Sequence, residues 1–367
     1  MESCTSVPGT SMSGRETVEA CPVCGAIGFV PDEYYPVDDD VFGMCRCSAC
    51  GLGIVTPRPT REAMGAFYEG FPHASWGRTR GLKRGGEVLI AAAVRAEYGD
   101  GGSISRQASR VTAPLWRPVW RSWLRKAHLG AVDRPGRVLD VGCAAGAWLA
   151  NQRRWGFEVF GCEPDAAAGA RARSLGIDVQ FSDLLSADFE DAFFDVIHFN
   201  HVLEHCHLPA ENVRRAAELL RPGGMLVIVV PNGESAVARA YRRVEDVPRH
   251  LWSFTGAHLE RLTAEAGLEV HSTTTESPDP WGSYSALWRA TDEALSGAGG
   301  DLEANRVWWT SRRIKRKFRT IGGYWDDLGL GYQVVCTARK PAVSKRAVAE
   351  GTELTLPRSR TRVVAGL

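Results

Sequence analysis

The sequence has no apolar run long enough to cross a bilayer, and its N-terminus has no signal-peptide core. A soluble, cytoplasmic protein is expected. Charge of one sign is lacking too: 44 Lys and Arg stand against 43 Asp and Glu in 367 residues. Nothing in that balance points to nucleic acid or an anionic membrane. Internal repeats are absent. The length leaves room for one large domain and one small one. Ten cysteines would mean disulfides in a small secreted chain. In a long chain without an export signal, their paired C-x-x-C spacings point to metal instead.

Residues 1–18 are rich in Ser, Thr and Gly and are expected to be mobile. Two knuckles follow, Cys21-Pro22-Val23-Cys24-Gly25 and Cys47-Ser48-Ala49-Cys50-Gly51. Each sets two thiolates on one side of a tight turn, and its glycine permits the positive φ that comes next. Cys21, Cys24, Cys47 and Cys50 together make a closed tetrahedral zinc site with no open position. Its role is structural, holding a ribbon over 19–57 that is too small for a core of its own. Cys45 is a rival ligand whose spacing forms no knuckle.

The stretch from Arg137 to Pro164 reads as strand, tight turn, helix, strand. Val138–Val141 is a short apolar run. Gly142-Cys143-Ala144-Ala145-Gly146 holds only small residues, and Ala147-Trp148-Leu149 opens a helix. Val159–Cys162 is the next strand, closed by Glu163 and Pro164. A bend of small residues lets a ligand approach the backbone at a helix N-terminus, where free N–H groups point outward. An acid ending the next strand can accept from both hydroxyls of a ribose. A dinucleotide fingerprint would need G-x-G-x-x-G, and this frame has Ala144 and Ala147 at two of the three glycine positions. That argues against a pyrophosphate here.

From 136 onward strand and helix patterns alternate, which implies a doubly wound, mostly parallel sheet. Helices are expected at 165–175, 211–220 and 256–266, the last capped by Thr255. Further strands are expected at 179–181, 194–199, 225–230, 268–273 and 331–339. The fourth strand runs into Asn200-His201-Val202-Leu203-Glu204-His205. His201-x-x-Glu204-His205 matches an inverted zinc-protease motif, but that motif needs a continuous helix, and here a strand ends just before His201. Asn200 and His201 stand at the carboxyl end of that strand, where ligands of open parallel sheets sit. His250 lies in a loop just before the Thr255 cap.

Between ribbon and sheet, 58–133 reads as a helical linker, with helices expected at 87–98 and 114–128. Its tryptophans, Trp76, Trp116, Trp120 and Trp123, are candidates for a lid over the nucleoside site, or for core. An insertion at 277–325 carries Trp281, Tyr284, Trp288, Trp308, Trp309 and Trp325. Its basic run, Arg312–Lys317, reads as a solvated helix face. Residues 341–367 form a polar, basic tail.

Leu139-Asp140-Val141-Gly142-Cys143 with Gly146 resembles the first motif of class I S-adenosylmethionine (SAM) methyltransferases. That family usually has glycine where Ala144 stands. The "VLEH" of Val202–His205 and the Arg221-Pro222-Gly223-Gly224 turn resemble the same enzymes. A ribbon before such a fold is similar to a subgroup of tailoring enzymes of antibiotic and sugar biosynthesis, including sugar C-methyltransferases. The resemblance implies a seven-stranded Rossmann-like sheet over 134–340 and SAM as cofactor. It implies that Asp140, Gly142, Gly146, Glu163, Pro164, Asp183, Leu184, Asn200 and Tyr68 bind SAM. Asp183 would face the adenine amino group, Leu184 the ring, and Tyr68 reaches the cofactor from the helix after the ribbon. His250 would line the acceptor pocket.

Methyl transfer asks for alignment, exclusion of water and, for a hydroxyl or enolisable carbon, removal of a proton. Histidine suits that task near neutral pH. His205 and His250 are the candidate bases, Glu204 the orienting partner or rival base, and His201 the third histidine. The expected acceptor is a small molecule, free or linked to a nucleotide or carrier, and O-, N- and C-methylation remain open. A SAM-binding fold that catalyses cyclisation, or a non-catalytic SAM-binding scaffold, is the alternative.

Overall fold

The structure, a computed structural model, describes residues 4, 13–37, 40–69, 85–99, 102–241, 246–277 and 323–342. The strands β1 (Arg15–Glu16), β2 (Phe29–Val37), β3 (Asp40–Cys47), β4 (Gly53–Val55) and β5 (Arg58–Pro59) come first. Helices α1 (Arg61–Met64), α2 (Gly85–Tyr98) and α3 (Ser103–Lys126) follow. Then β6 (Arg137–Val141), α4 (Ala147–Arg154), β7 (Glu158–Cys162), α5 (Ala166–Ser174) and β8 (Asp178–Gln180) alternate. Next are β9 (Phe194–Asn200), α6 (Pro209–Leu219), β10 (Leu220–Pro231), α7 (Ala236–Tyr241), β11 (Trp252–Ser253) and α8 (Gly256–Glu265). The last two strands are β12 (Glu269–Glu276) and β13 (Gln333–Arg339).

Seven strands form one sheet in the order β12-β13-β10-β9-β6-β7-β8. From β10 to β8 neighbours are parallel; β13 runs antiparallel between β10 and β12. Alternate residues divide between two apolar layers, as period-two geometry requires. Leu139, Ile197, Leu226 and Ile228 face one layer, while Val138, Val196, Val227 and Val229 face the other. A parallel sheet covered on both faces explains these unbroken apolar strands.

The first layer also contains Cys21, Cys47, Leu52, Ile54 and Trp252, so the N-terminal ribbon shares its core with the sheet. The ribbon's own sheet has the order β11-β4-β3-β2, and its edge strand β11 comes from far along the chain. Part of the segment expected to be mobile is tied down. Arg15–Glu16 pairs with Arg58–Pro59, and Cys4 forms a disulfide with Cys45. That bond takes Cys45, the rival ligand, out of competition for metal, and it is a disulfide where the spacings had pointed to metal instead.

The second layer is closed by α2, α3 and α4. Helix α3 begins eleven positions before the expected start at 114, because Pro114 and Pro118 lie inside it rather than at its first turn. Trp116 and Trp120 are buried there at 4% and 1% exposure, and Trp123 packs on Trp155 with ring centroids 5.1 Å apart. These tryptophans pack in the layer away from the ribbon, as the core reading rather than the lid reading has it. Trp76, the aromatics at 281–309, the basic run at 312–317 and residues 343–367 lie outside the described residues. Among the described residues no helix is long and apolar enough to cross a membrane. Trp120→Ala should cost about 3–5 kcal/mol of stability in urea titration while folded protein keeps its affinity for SAM. A lid residue would show the reverse.

Candidate functional site

The bend after β6 is left-handed three times over. Gly142, Ala144 and Gly146 have φ of +64°, +45° and +74°. A side chain at Gly142 would meet Val202 Cγ2 at 2.7 Å, and one at Gly146 would meet Ile177 Cδ1 at 2.6 Å. Both glycines are therefore required by space as well as by φ. Glu163, at the end of β7, turns back to this bend. Its Oε2 accepts from Ala144 N–H at 2.8 Å and its Oε1 from Asp165 N–H at 2.9 Å. Burial pushes its carboxyl up, against the pull of those two donors. A carboxylate offers about four acceptor positions, so a pair of ribose hydroxyls would still find lone pairs here. The bend and the acid thus fit an adenosyl ligand.

Asp183 lies beyond β8, where Arg61 Nη2 donates to it at 2.6 Å and Ser186 N–H at 2.8 Å. Arg61, at the start of α1, carries no motif that would single it out in the sequence. Leu184 is buried in the first layer at 1% exposure, and Pro164 is exposed. Asp140 lies in β6 two residues before the bend. Its buried carboxylate accepts from His198 Nδ1 at 2.8 Å, and the His198 ring stacks on Trp148 at 4.1 Å. His198 is detectable in hindsight, since a histidine inside an apolar central strand needs a buried partner.

Val202 separates this bend from a second cluster. Residues 203–205 form a single 3₁₀ turn after β9 rather than a helix, which removes the protease geometry. Glu204, at 1% exposure, has both carboxylate oxygens without a hydrogen-bond donor. His201 Nδ1 lies 3.4 Å from Glu204 Oε1, near enough for an ion pair but outside hydrogen-bond geometry. His201 itself has φ +54° and contacts Gln333 Oε1 through Nε2 at 3.2 Å. Asn200, just before it, is exposed. The His205 and His250 rings meet edge to face at 4.6 Å. Tyr68 joins from the 3₁₀ turn that follows α1, its hydroxyl 3.0 Å from His205 Nδ1. The candidates Tyr68, His201, Glu204, His205 and His250 are thus brought together from three distant segments.

The electrostatics of this cluster assign different roles to its histidines. Burial opposes ionisation of Glu204, but His201, His205 and His250 outweigh it and hold the carboxyl below its usual range. Burial, helped by His205, drives His250 down to about 4. Burial also pushes the Tyr68 phenol up, so it stays protonated. His205 Nδ1 lies 3.0 Å from the carbonyl oxygen of Arg249, which can only accept. A proton on Nδ1 would satisfy that carbonyl and leave the lone pair on Nε2, whereas a lone pair on Nδ1 would accept from the Tyr68 hydroxyl at 3.0 Å. Arg249 was not foreseen, because a backbone carbonyl leaves no mark in sequence.

Among the described residues two groups have metal-ligand spacing: Cys21, Cys24, Cys47 and Cys50, and Glu204, His205 and His250. In the first, Cys21 and Cys50 sulfurs are 3.6 Å apart and Cys24 and Cys47 sulfurs 3.4 Å apart. Tetrahedral zinc with bonds of about 2.3 Å needs sulfurs about 3.8 Å apart, so a small outward adjustment accommodates it. Gly25 and Gly51 have φ of +73° and +78° with open space around them, so conformation alone requires glycine there.

His250 gives a measurable signature. An unfolded histidine titrates near 6.5, so between about 4 and 6.5 the unfolded chain holds a proton that the folded chain lacks. Stability should therefore fall as pH drops through that window. Melting temperatures at pH 7 and pH 5 test this, and His250→Gln should flatten the dependence.

Residues 117–273 match the family model described as "Methyltransferase domain". An uncharacterized 37.1 kDa protein in transposon TN4556 of Streptomyces fradiae is 31% identical over 166 residues, 40% of this chain and 48% of that protein. The ubiquinone biosynthesis O-methyltransferase of Aeromonas salmonicida is 28% identical over 169 residues, 42% of this chain and 70% of the enzyme. Among solved structures, the [4+2]-cyclase SpnF is 17% identical with a TM-score of 0.44, covering 78% of this chain and 97% of SpnF. The chain thus spans about half of the first relative's length and 70% of the second's. Residues 117–273 are thus similar in sequence to a methyltransferase domain, and the seven-stranded sheet that holds most of them has the Rossmann-like order, with the bend and its acid at the carboxyl ends of β6 and β7.

Proposed function

We propose that the chain transfers a methyl group from SAM to a small-molecule acceptor, a natural-product or sugar intermediate, with His205 as general base. The observation that supports this is the Arg249 carbonyl at His205 Nδ1, which can only accept and so favours the tautomer with its lone pair on Nε2. SAM, when bound, supplies a methyl group on a positively charged sulfur. Gly142, Gly146 and Glu163 would hold it, with Asp183 on the adenine side and Asn200 and Tyr68 at its border. The chain's own work is then orientation, exclusion of water and movement of one proton. As His205 Nε2 takes that proton, the buried charge of Glu204 stabilises the imidazolium, much as a triad carboxylate does. His250 is too weak a base at about 4 to compete, and its neutral ring fixes the edge of His205. His201 positions Glu204. The acceptor's linkage to a nucleotide or carrier, and the choice among O, N and C, follow from pocket residues beyond this cluster.

Calorimetry with SAM, paired with release of S-adenosylhomocysteine on demethylated acceptors, tests the reading. Glu163→Ala should weaken SAM at least about tenfold. His205→Asn should cut turnover about 10²–10⁴-fold with SAM affinity kept. Binding without turnover on any acceptor would favour a scaffold, and product formed with SAM unconsumed would favour a cyclase.

The four-cysteine cluster we assign to structural zinc, on the strength of its two knuckles and sulfur spacing. Metal analysis should find one zinc per chain, lost with the fold of the ribbon in Cys24→Ser. A second tightly held equivalent would move Glu204, His205 and His250 from proton transfer to coordination.

A further inference from the structure

Strand β4 carries no charged side chain, yet it reaches the histidine cluster through its backbone. It lies antiparallel to β11, with Ile54 opposite Trp252 and Gly53 opposite Ser253. Val55 N–H donates to Leu251 carbonyl at 3.0 Å, and Leu251 N–H donates to Glu204 carbonyl at 2.8 Å. Leu251 follows His250, and the carbonyl before His250 is the one that faces His205 Nδ1 at 3.0 Å. The other end of the 201–207 segment is gripped by the ribbon as well. Arg58 Nη1 donates to His207 carbonyl at 3.2 Å, and His207 Nε2 contacts Pro59 carbonyl at 3.0 Å. Trp252 Nε1 closes the frame by donating to Cys206 carbonyl at 2.6 Å.

The fit at the point of contact is tight. A Cβ on Gly53 would stand 2.7 Å from Ser253 Cβ and 3.3 Å from Met44 Sδ. Gly53 has no positive φ to explain it, so close approach of β11 is what requires glycine there.

We propose that β4 of the ribbon, with Gly53 at its contact point, is a positioning element for the acceptor-side histidines. Pairing with 251–253 sets where His250 stands and, through the Arg249 carbonyl, which nitrogen of His205 holds its proton. The inference rests on the reading of His205 as base, but its test observes the histidines directly. A failure here leaves that reading standing, and a failed turnover experiment leaves this coupling standing.

The test uses the full chain with ¹⁵N-labelled histidine, as wild type, Gly53→Ala and Gly53→Ala/Ser253→Gly. The double variant removes the Cβ that the new methyl group would strike. Gly53→Ala should raise modification of His250 by diethyl pyrocarbonate about tenfold and mix the ring-nitrogen signals of His205. SAM affinity should stay within about twofold, because the bend and Glu163 are not in the frame. The double variant should restore both histidines. Unchanged histidines in a folded Gly53→Ala protein, or no restoration in the double variant, would overturn the proposal. Hydrogen exchange on the unmodified chain gives an answer that needs no variant. The amides of Val55 and Leu251 should open as one unit with the same free energy, and independent opening would also overturn it.

Discussion

A parallel sheet buried on both faces must be covered on both, and most of this structure follows from how that is done. The strands β6, β9 and β10 are apolar at nearly every interior position, and the one buried polar pair in β6 and β9, Asp140 with His198, satisfies itself, so neither side tolerates water. One face is covered by α2, α3 and α4, with Trp116 and Trp120 filling the space. The other is covered by α6 and α8 together with the N-terminal ribbon, whose Leu52 and Ile54 are fully buried in the same layer as Leu139 and Ile228. The ribbon is therefore part of the domain's core, and its strand β4 is held against the loop that carries His250.

That arrangement fixes the electrical character of the site. Glu204 is buried beneath the ribbon-facing end of the sheet without a hydrogen-bond donor, a costly position for a carboxylate. It stays ionised because three histidines surround it. The same burial that makes Glu204 costly suppresses protonation of His250. One environment thus separates the proton affinities of adjacent groups, which is how an acid–base site is usually built. The SAM-side elements are kept distinct by Val202, packed against Gly142.

Local signals made the alternation of strand and helix readable, because such patterns arise from covering a sheet on two sides. The knuckles were readable for a similar reason: four thiolates at fixed spacing and a glycine after each pair leave few other uses. The bend and its acid were readable because φ and close approach restrict residue type at Gly142 and Gly146. Where reading failed, the cause was an interaction with no local mark. Pro114 looks like a helix start, but tertiary packing of Trp116 and Trp120 carries α3 through it. Cys45 looked like a spare thiol until Cys4 came within bonding distance. His198 was passed over because its partner, Asp140, lies on the neighbouring strand.

The sequence by itself determined the sheet, the four-sulfur cluster and the small-residue bend with its acid, since each depends on residue type and spacing within a short window. Only the tertiary structure sets the two candidate histidines apart. His205 and His250 are chemically identical in sequence. They differ because one ring nitrogen meets the Arg249 carbonyl while the other ring is stripped of water, and both circumstances come from contacts between segments far apart along the chain.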